Sequence, residues 1–260
     1  MTFFENLILS IVEGVTEFLP ISSTFHIDLF GKILGVPHSD FFTSFIIAIQ
    51  LGAIIAVMIL FRRQLLQSPK IIFYLGIGFI PVGIAGLFAY PIVKNIFLGN
   101  QILEISALFI GGVVMIYFAR QYQNQSQEVQ EKTEIQLTLK EIIYLSLWQI
   151  VAFIPGVSRS GAILIGGLAK RIPLHQVVPA SFLLAIPTMI TATGYDLWKT
   201  GAQFTQDEWN SLLLGMLLSG LVAFFVAKWL IKFLQRPGAL QIFGWYRIIL
   251  AIILVLVLII

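Results

Sequence analysis

Residues 13–26 read EGVTEFLPISSTFH, set inside an otherwise apolar run from about residue 5 to residue 35. Pro20 lacks a backbone donor and its ring blocks the preceding turn, so a helix does not pass through it undisturbed. Ser22, Ser23 and Thr24 follow at once, and their side chains favour the cap of a new helix. The run therefore reads as two half-helices meeting at a polar break, not as one crossing.

The rest of the chain explains why such a break is notable. Hydrophobic residues make up 58% and charged residues 11%, with a mean hydropathy of +0.94, whereas a soluble domain is about 25% charged. This is the composition of a membrane chain. A bilayer core needs about 20 apolar residues per helical crossing, and runs of that length occur near 42–61, 71–91, 102–119, 174–198, 209–231 and 241–260. The expected fold is an all-α integral membrane protein with about six transmembrane helices. A second broken stretch, 142–170, is interrupted by Pro155, Gly156 and Ser158, and it too reads as a re-entrant half-helix pair.

Net charge is only +3 and the basic residues are scattered, which argues against a nucleic-acid surface. They serve better as a topology signal, because cytoplasmic connections are enriched in Lys and Arg. Arg62, Arg63 and Lys70, then Arg120, Lys132 and Lys140, Lys170 with Arg171, and Lys232 with Arg236 mark inner connections, while those near Lys94 and Lys199 are poorer and face out. Both termini then lie outside. There is no cysteine, so neither a disulfide nor a thiolate metal site is available. The N-terminus lacks a basic segment and carries Glu5, so no cleaved signal peptide is expected.

The chain also resembles itself. FLP at 18–20 pairs with FIP at 153–155, Ser22 with Ser158, and FIIAIQ at 45–50 with FLLAIP at 182–187, at separations of 135, 136 and 137 residues. A single membrane domain, 1–260, is expected, with one repeat over 1–120, a second over 142–260, and a polar cytoplasmic loop, 121–141, between them. Because the first copy enters from outside and the second from inside, the repeat is inverted, an arrangement in which broken helices meet near the midplane to form a polar site.

The residues in the breaks suggest what that site handles. Glu13 and Glu17 are four apart and share a helix face, and an ionised carboxylate at membrane depth costs roughly 2.5–3.5 kcal/mol. No basic residue lies between Met1 and Lys32, so local pairing is excluded and the pair reads as either a divalent-cation site, for Mg²⁺ or Ca²⁺, or a participant in proton transfer. Arg159 sits between Ser158 and Ser160 at the second turn, where its fork of donors suits a phosphate. The free N–H groups of helices starting at Ser22 and Ser158 suit the same anion. His26, shortly after the hydroxyls, is placed as an acid or base. Asp28 either orients that imidazole or faces the headgroups, and His38 and His175 read as interfacial.

EGVTEFLPISSTFH with PGVSRSGA resembles the two signature motifs of the bacterial undecaprenyl-pyrophosphate phosphatases, the integral-membrane family linked to bacitracin resistance. FIIAIQLGAIIAV and SFLLAIPTMITATGYDL are similar to that family's flanking spans, so the likeness covers about residues 8–198. It implies removal of the terminal phosphate of undecaprenyl pyrophosphate in the bacterial cytoplasmic membrane, which recycles the lipid carrier of envelope polymers. It also implies a homodimer. By motif position it implies catalytic roles for Glu17, Ser23, His26 and Arg159, diphosphate binding by Ser22, Ser158, Ser160 and Arg159, and a metal on Glu13 and Glu17. Three nucleophiles stay open: Ser23 with His26 as its base, His26 itself, or water. Two positions depart from the family pattern, Phe25 where glycine is usual and Ile46 where glutamate is usual.

The main rival is a secondary transporter or lipid-carrier flippase, which shares the architecture and binds without cleaving a bond. The phosphatidic acid phosphatase pattern SRxxxxxHxxxD begins at Ser158 and Arg159 but meets Ile165 at its histidine position, which excludes it.

Overall fold

The computed structural model describes residues 1–92, 100–123 and 136–259. The expected outer connection near Lys94 and most of the polar loop 121–141 lie outside them. The first break separates α1 (Phe3–Thr16) from α2 (Ser23–Leu34), and the second separates α7 (Leu139–Trp148) from α8 (Arg159–Ala169). Between and after them come α3 (Asp40–Leu60), the short α4 (Arg62–Gln67), α5 (Pro69–Ile92), α6 (Gln101–Gln123), α9 (Leu174–Thr200), α10 (Gln206–Phe233) and α11 (Ala239–Ile259). Among the described residues, six helices (α3, α5, α6, α9, α10 and α11) are long and apolar enough to cross a membrane. They fall within a few residues of the expected spans.

Local sequence sets where the helices begin. A Thr2/Glu5 capping box opens α1, Ser39 caps α3, a Thr138/Glu141 box opens α7, and a Thr205/Glu208 box opens α10. Each satisfies amides that the first helical turn leaves unpaired. At 1.5 Å per residue, the 14 residues of α1 rise about 21 Å, too short for a hydrocarbon core of about 30 Å, and α2, α7 and α8 are shorter still. All four are therefore half-helices by length.

Packing exchanges elements between the halves of the chain. Helices α1 and α3 pack on α10, while α7 and α9 pack on α5, and the pairs α3/α9 and α6/α11 meet across the middle. Small residues make the closest contacts possible: a Cβ on Gly52 would sit 2.0 Å from the Met216 carbonyl oxygen of α10. With no hydrophobic drive between helices in lipid, such close backbone approach and buried hydroxyls supply the association. Ser219 donates to the Ile49 carbonyl at 2.6 Å. The effect of this packing is to hold both breaks side by side, with Phe18 packed against Phe182 at 4.7 Å, the rings tilted by 47°.

Candidate active site

The first break is shaped by an unusual backbone. Ser22 has φ 73° and ψ 90°, a left-handed conformation that costs a non-glycine residue of order 1–3 kcal/mol and clusters at functional sites. Ser22 occupies the cap position of α2, but its side chain makes no capping hydrogen bond, contrary to the reading that it caps the helix. The turn aims its carbonyl at His26 instead. The second break turns at Gly156, with φ 89°, where an added Cβ would sit 2.3 Å from the Glu104 carbonyl oxygen. Ser158 then caps α8 in the expected way, accepting from the Gly161 amide at 3.1 Å.

The two breaks are joined through Glu17. Its Oε1 accepts from Arg159 Nη2 and its Oε2 from Ser23 Oγ, both at 2.7 Å. Ser160 Oγ donates to the Leu19 carbonyl at 3.1 Å and lies 3.0 Å from Ser158 Oγ, stitching the second turn onto the first. Glu17, Ser22, Ser23, Ser158 and Arg159 thus gather around one cavity of about 120 Å³, with Thr24, Gln50, Gln149 and Thr188 also on its walls. That is far below the roughly 300–1,000 Å³ of a site that swallows a drug-sized molecule. It has room for a small polar group.

Two sets of polar atoms in and beside this cavity lack protein partners among the described residues. Arg159 Nη1 and Gln149 Nε2 are buried donors without an acceptor, and both oxygens of Glu13, which is 0% exposed, have no donor. Buried polar groups are nearly always satisfied in a finished structure. The unpaired guanidinium nitrogen has a donor free for an anion, and the Glu13 carboxyl one turn before Glu17 has oxygens without a donor among the described residues.

His26 is not brought to Ser23. Its Nδ1 donates to the Ser22 carbonyl at 2.7 Å, since a carbonyl can only accept, and its Nε2 lies 2.8 Å from the Tyr246 hydroxyl of α11. Both ring nitrogens are engaged, and the imidazole is absent from the cavity wall. Asp28 does not orient it; that carboxylate pairs with Lys32 at 2.6 Å. The departures from the family pattern also fall away from the cavity. Phe25 packs with Ile105, Leu108 and Ala251, and Ile46 lies against the Phe42 and Phe45 cluster.

The sequence reading missed three participants. Arg247, 1% exposed on α11, donates to the carbonyls of Pro20 and Gly156, both at 3.1 Å, and to those of Ala107 and Leu108, both at 3.2 Å. It therefore pins both breaks to α6. An arginine in the middle of an apolar span was itself the signal, because intramembrane charges are functional by default. Tyr246 and Gln149 carried no comparable signal, as each acquires meaning only from the tertiary contact it makes.

These features define a multi-pass membrane protein whose two interlocked breaks hold an anion-directed arginine, a carboxylate and a hydroxyl in one small buried cavity. Compared with known proteins, residues 6–253 match the model of the family described as bacitracin resistance protein BacA. The chain belongs to that family. It is 42% identical over 253 residues to the undecaprenyl-diphosphatase of Aquifex aeolicus, covering 97% of each chain. It is 38% identical over 252 residues to that of Thermus thermophilus, with 95% and 94% covered, and 40% identical over 250 residues to that of Campylobacter jejuni, with 95% and 91% covered.

Proposed function

We propose that this chain is an undecaprenyl-diphosphatase of the bacterial cytoplasmic membrane, releasing inorganic phosphate from undecaprenyl pyrophosphate and leaving the monophosphate carrier. Near full-length likeness to proteins bearing that name supports the activity, and the single observation that carries the chemistry is the Ser23–Glu17–Arg159 chain of hydrogen bonds. A carrier would need an anion clamp, but it has no need of a hydroxyl poised on a carboxylate beside that clamp. The transporter reading is therefore not favoured.

In this reading the prenyl chain stays in the bilayer and the diphosphate enters the cavity. Arg159 Nη1 and the free amides of α2 take its non-bridging oxygens. Ser23 Oγ attacks the terminal phosphorus, its proton passes to Glu17 Oε2, and the bridging P–O bond breaks with undecaprenyl phosphate as leaving group. Glu17 passes that proton to the departing undecaprenyl phosphate, then takes one from the water that attacks the phosphoserine and gives it to Ser23 Oγ as inorganic phosphate leaves. Phosphoryl transfer has a loose transition state that asks mainly for positioning and charge stabilisation, which Arg159 supplies. Glu17 takes the base role in place of His26, which fixes the Ser22 turn. Ser158 and Ser160 hold that turn against α8 and present the α8 amides.

A divalent cation, Mg²⁺ or Ca²⁺, fits the donor set in part: Glu13 offers two free oxygens, Glu17 lies one turn away, and substrate oxygens and water complete the shell, as Mg²⁺ prefers. When bound it would neutralise diphosphate charge. The homodimer expected of the family belongs to the same reading and is checked by light scattering of the detergent-solubilised chain.

Phosphate release from undecaprenyl pyrophosphate by the purified chain, with and without Mg²⁺, tests the proposal. Glu17→Gln and Arg159→Ala are each expected to lose about 10²-fold or more. Absence of release by a folded wild-type chain that still binds the lipid would return the carrier reading. Acid-quenched enzyme is expected to carry phosphate on Ser23, and an unmodified enzyme at every quench time would make water the nucleophile.

A further inference from the structure

Gln149 opens the short 3₁₀ turn Gln149–Phe153 that carries α7 into the second break. It is 2% exposed and lines the same cavity as Arg159, ten residues on at the far side of that break. Its Oε1 accepts from the Thr188 hydroxyl of α9 at 3.4 Å, while its Nε2 has no acceptor among the described residues. A buried amide donor without a partner is costly. Gln149 and Arg159 both line the cavity, and Arg159 Nη1 likewise has no acceptor among the described residues.

We infer that the Gln149 carboxamide is a second anion-recognition group of this site, donating through Nε2 to a non-bridging oxygen of the phosphoryl group that Arg159 Nη1 holds. The inference rests on the diphosphatase reading and names a residue just before the second break that recognises the terminal phosphoryl. Gln149 adds a neutral donor where a second cation would draw Glu17 away from Arg159 and Ser23. Thr188 is a positioning residue: its hydroxyl, whose proton is shared between the Leu184 carbonyl at 3.2 Å and Oε1 at 3.4 Å, favours the carboxamide orientation that leaves Nε2 without a protein partner among the described residues. The serine and arginine of the two signature motifs thus act on a phosphoryl group that also accepts a hydrogen bond from a residue outside both motifs.

Two measurements on the full chain in detergent test this. One is the upward shift of the thermal unfolding midpoint produced by inorganic pyrophosphate, which reports binding to the native state. The other is kcat/KM for undecaprenyl pyrophosphate. Gln149→Met keeps the volume and removes the donor, and is expected to unfold at a similar temperature without ligand, to lose most of the pyrophosphate shift, and to lose about tenfold or more in kcat/KM. Gln149→Glu keeps the shape but presents an anion, and is expected to be worse than Gln149→Met in both. Thr188→Val is expected to fall between wild type and Gln149→Met. A Gln149→Glu variant that binds pyrophosphate and turns over like wild type would overturn the inference, as would a Gln149→Met variant with an undiminished shift and unchanged kcat/KM. A wild-type chain that neither shifts nor releases phosphate would instead sink the diphosphatase reading itself.

Discussion

Glu17 carries more of the site than any other residue, because one carboxylate answers to two partners from different parts of the chain. Its Oε1 accepts from Arg159 Nη2 while Nη1 keeps no acceptor among the described residues, and its Oε2 holds the Ser23 hydroxyl. Arg159→Lys tests the first duty. Lysine is a point charge that lacks the planar fork, so it can pair with Glu17 or reach the phosphate but not do both in the same geometry. A loss of about 10²-fold in kcat is expected, with a smaller change in KM. Ser23→Ala tests the second duty and is expected to lose about 10³-fold or more in kcat while pyrophosphate still raises the unfolding midpoint; the same phosphate-release and unfolding assays read both variants. Glu13, Glu17, Ser23 and Arg159 were legible in the sequence because each is out of place in an apolar chain. The position of His26 was not, since nearness in sequence to the hydroxyls says nothing about which way the ring turns once α11 supplies Tyr246.

At the scale of elements, the decisive objects are the two breaks, and each is built from residues that a straight helix rejects. Pro20 and Gly156 signalled their places in advance. What sequence did not reveal is how two separate turns are held in register. Arg247 does this by donating to one carbonyl from each break and two from α6. A helical carbonyl such as that of Ala107 already has its own helix to bond to, so the carbonyls at risk are those of Pro20 and Gly156, which belong to irregular backbone. Arg247→Met therefore orphans two buried acceptors at roughly 1–3 kcal/mol each. The unfolding midpoint is expected to fall. Phosphate release is expected to fall further than that loss of folded protein explains, because the turns bearing Ser23 and Arg159 shift relative to one another. Arg247→Lys reaches fewer carbonyls and is expected to recover part of both. A variant of normal stability and normal activity would remove Arg247 from the account of the site.

For the whole molecule, the question is how the halves stand to one another across the membrane, and the count of crossings decides it. After its broken pair, the first half has the long helices α3, α5 and α6, and the second has α9, α10 and α11. If each broken pair leaves by the side it entered, three crossings separate the start of one half from the start of the next. Three is odd, so the halves are inverted. If instead each pair crossed as one bent span, the number would be four and the halves parallel, with the two half-helix N-termini no longer approaching from opposite sides as an inverted repeat requires. Leu66 on α4 and Asp207 on α10, both exposed, are separated by α5, α6, the second broken pair and α9. Because the chain has no cysteine of its own, Leu66→Cys and Asp207→Cys can be labelled singly with a membrane-impermeant maleimide. A re-entrant pair puts them on opposite faces, with Asp207→Cys reacting in intact cells and Leu66→Cys reacting only after the inner face is opened, as the Arg62, Arg63 and Lys70 cluster requires. Labelling of both from one face would mean that α7 and α8 cross, and the inverted repeat would be lost with it; opposite faces in the reverse sense would keep the inversion and turn the whole molecule over.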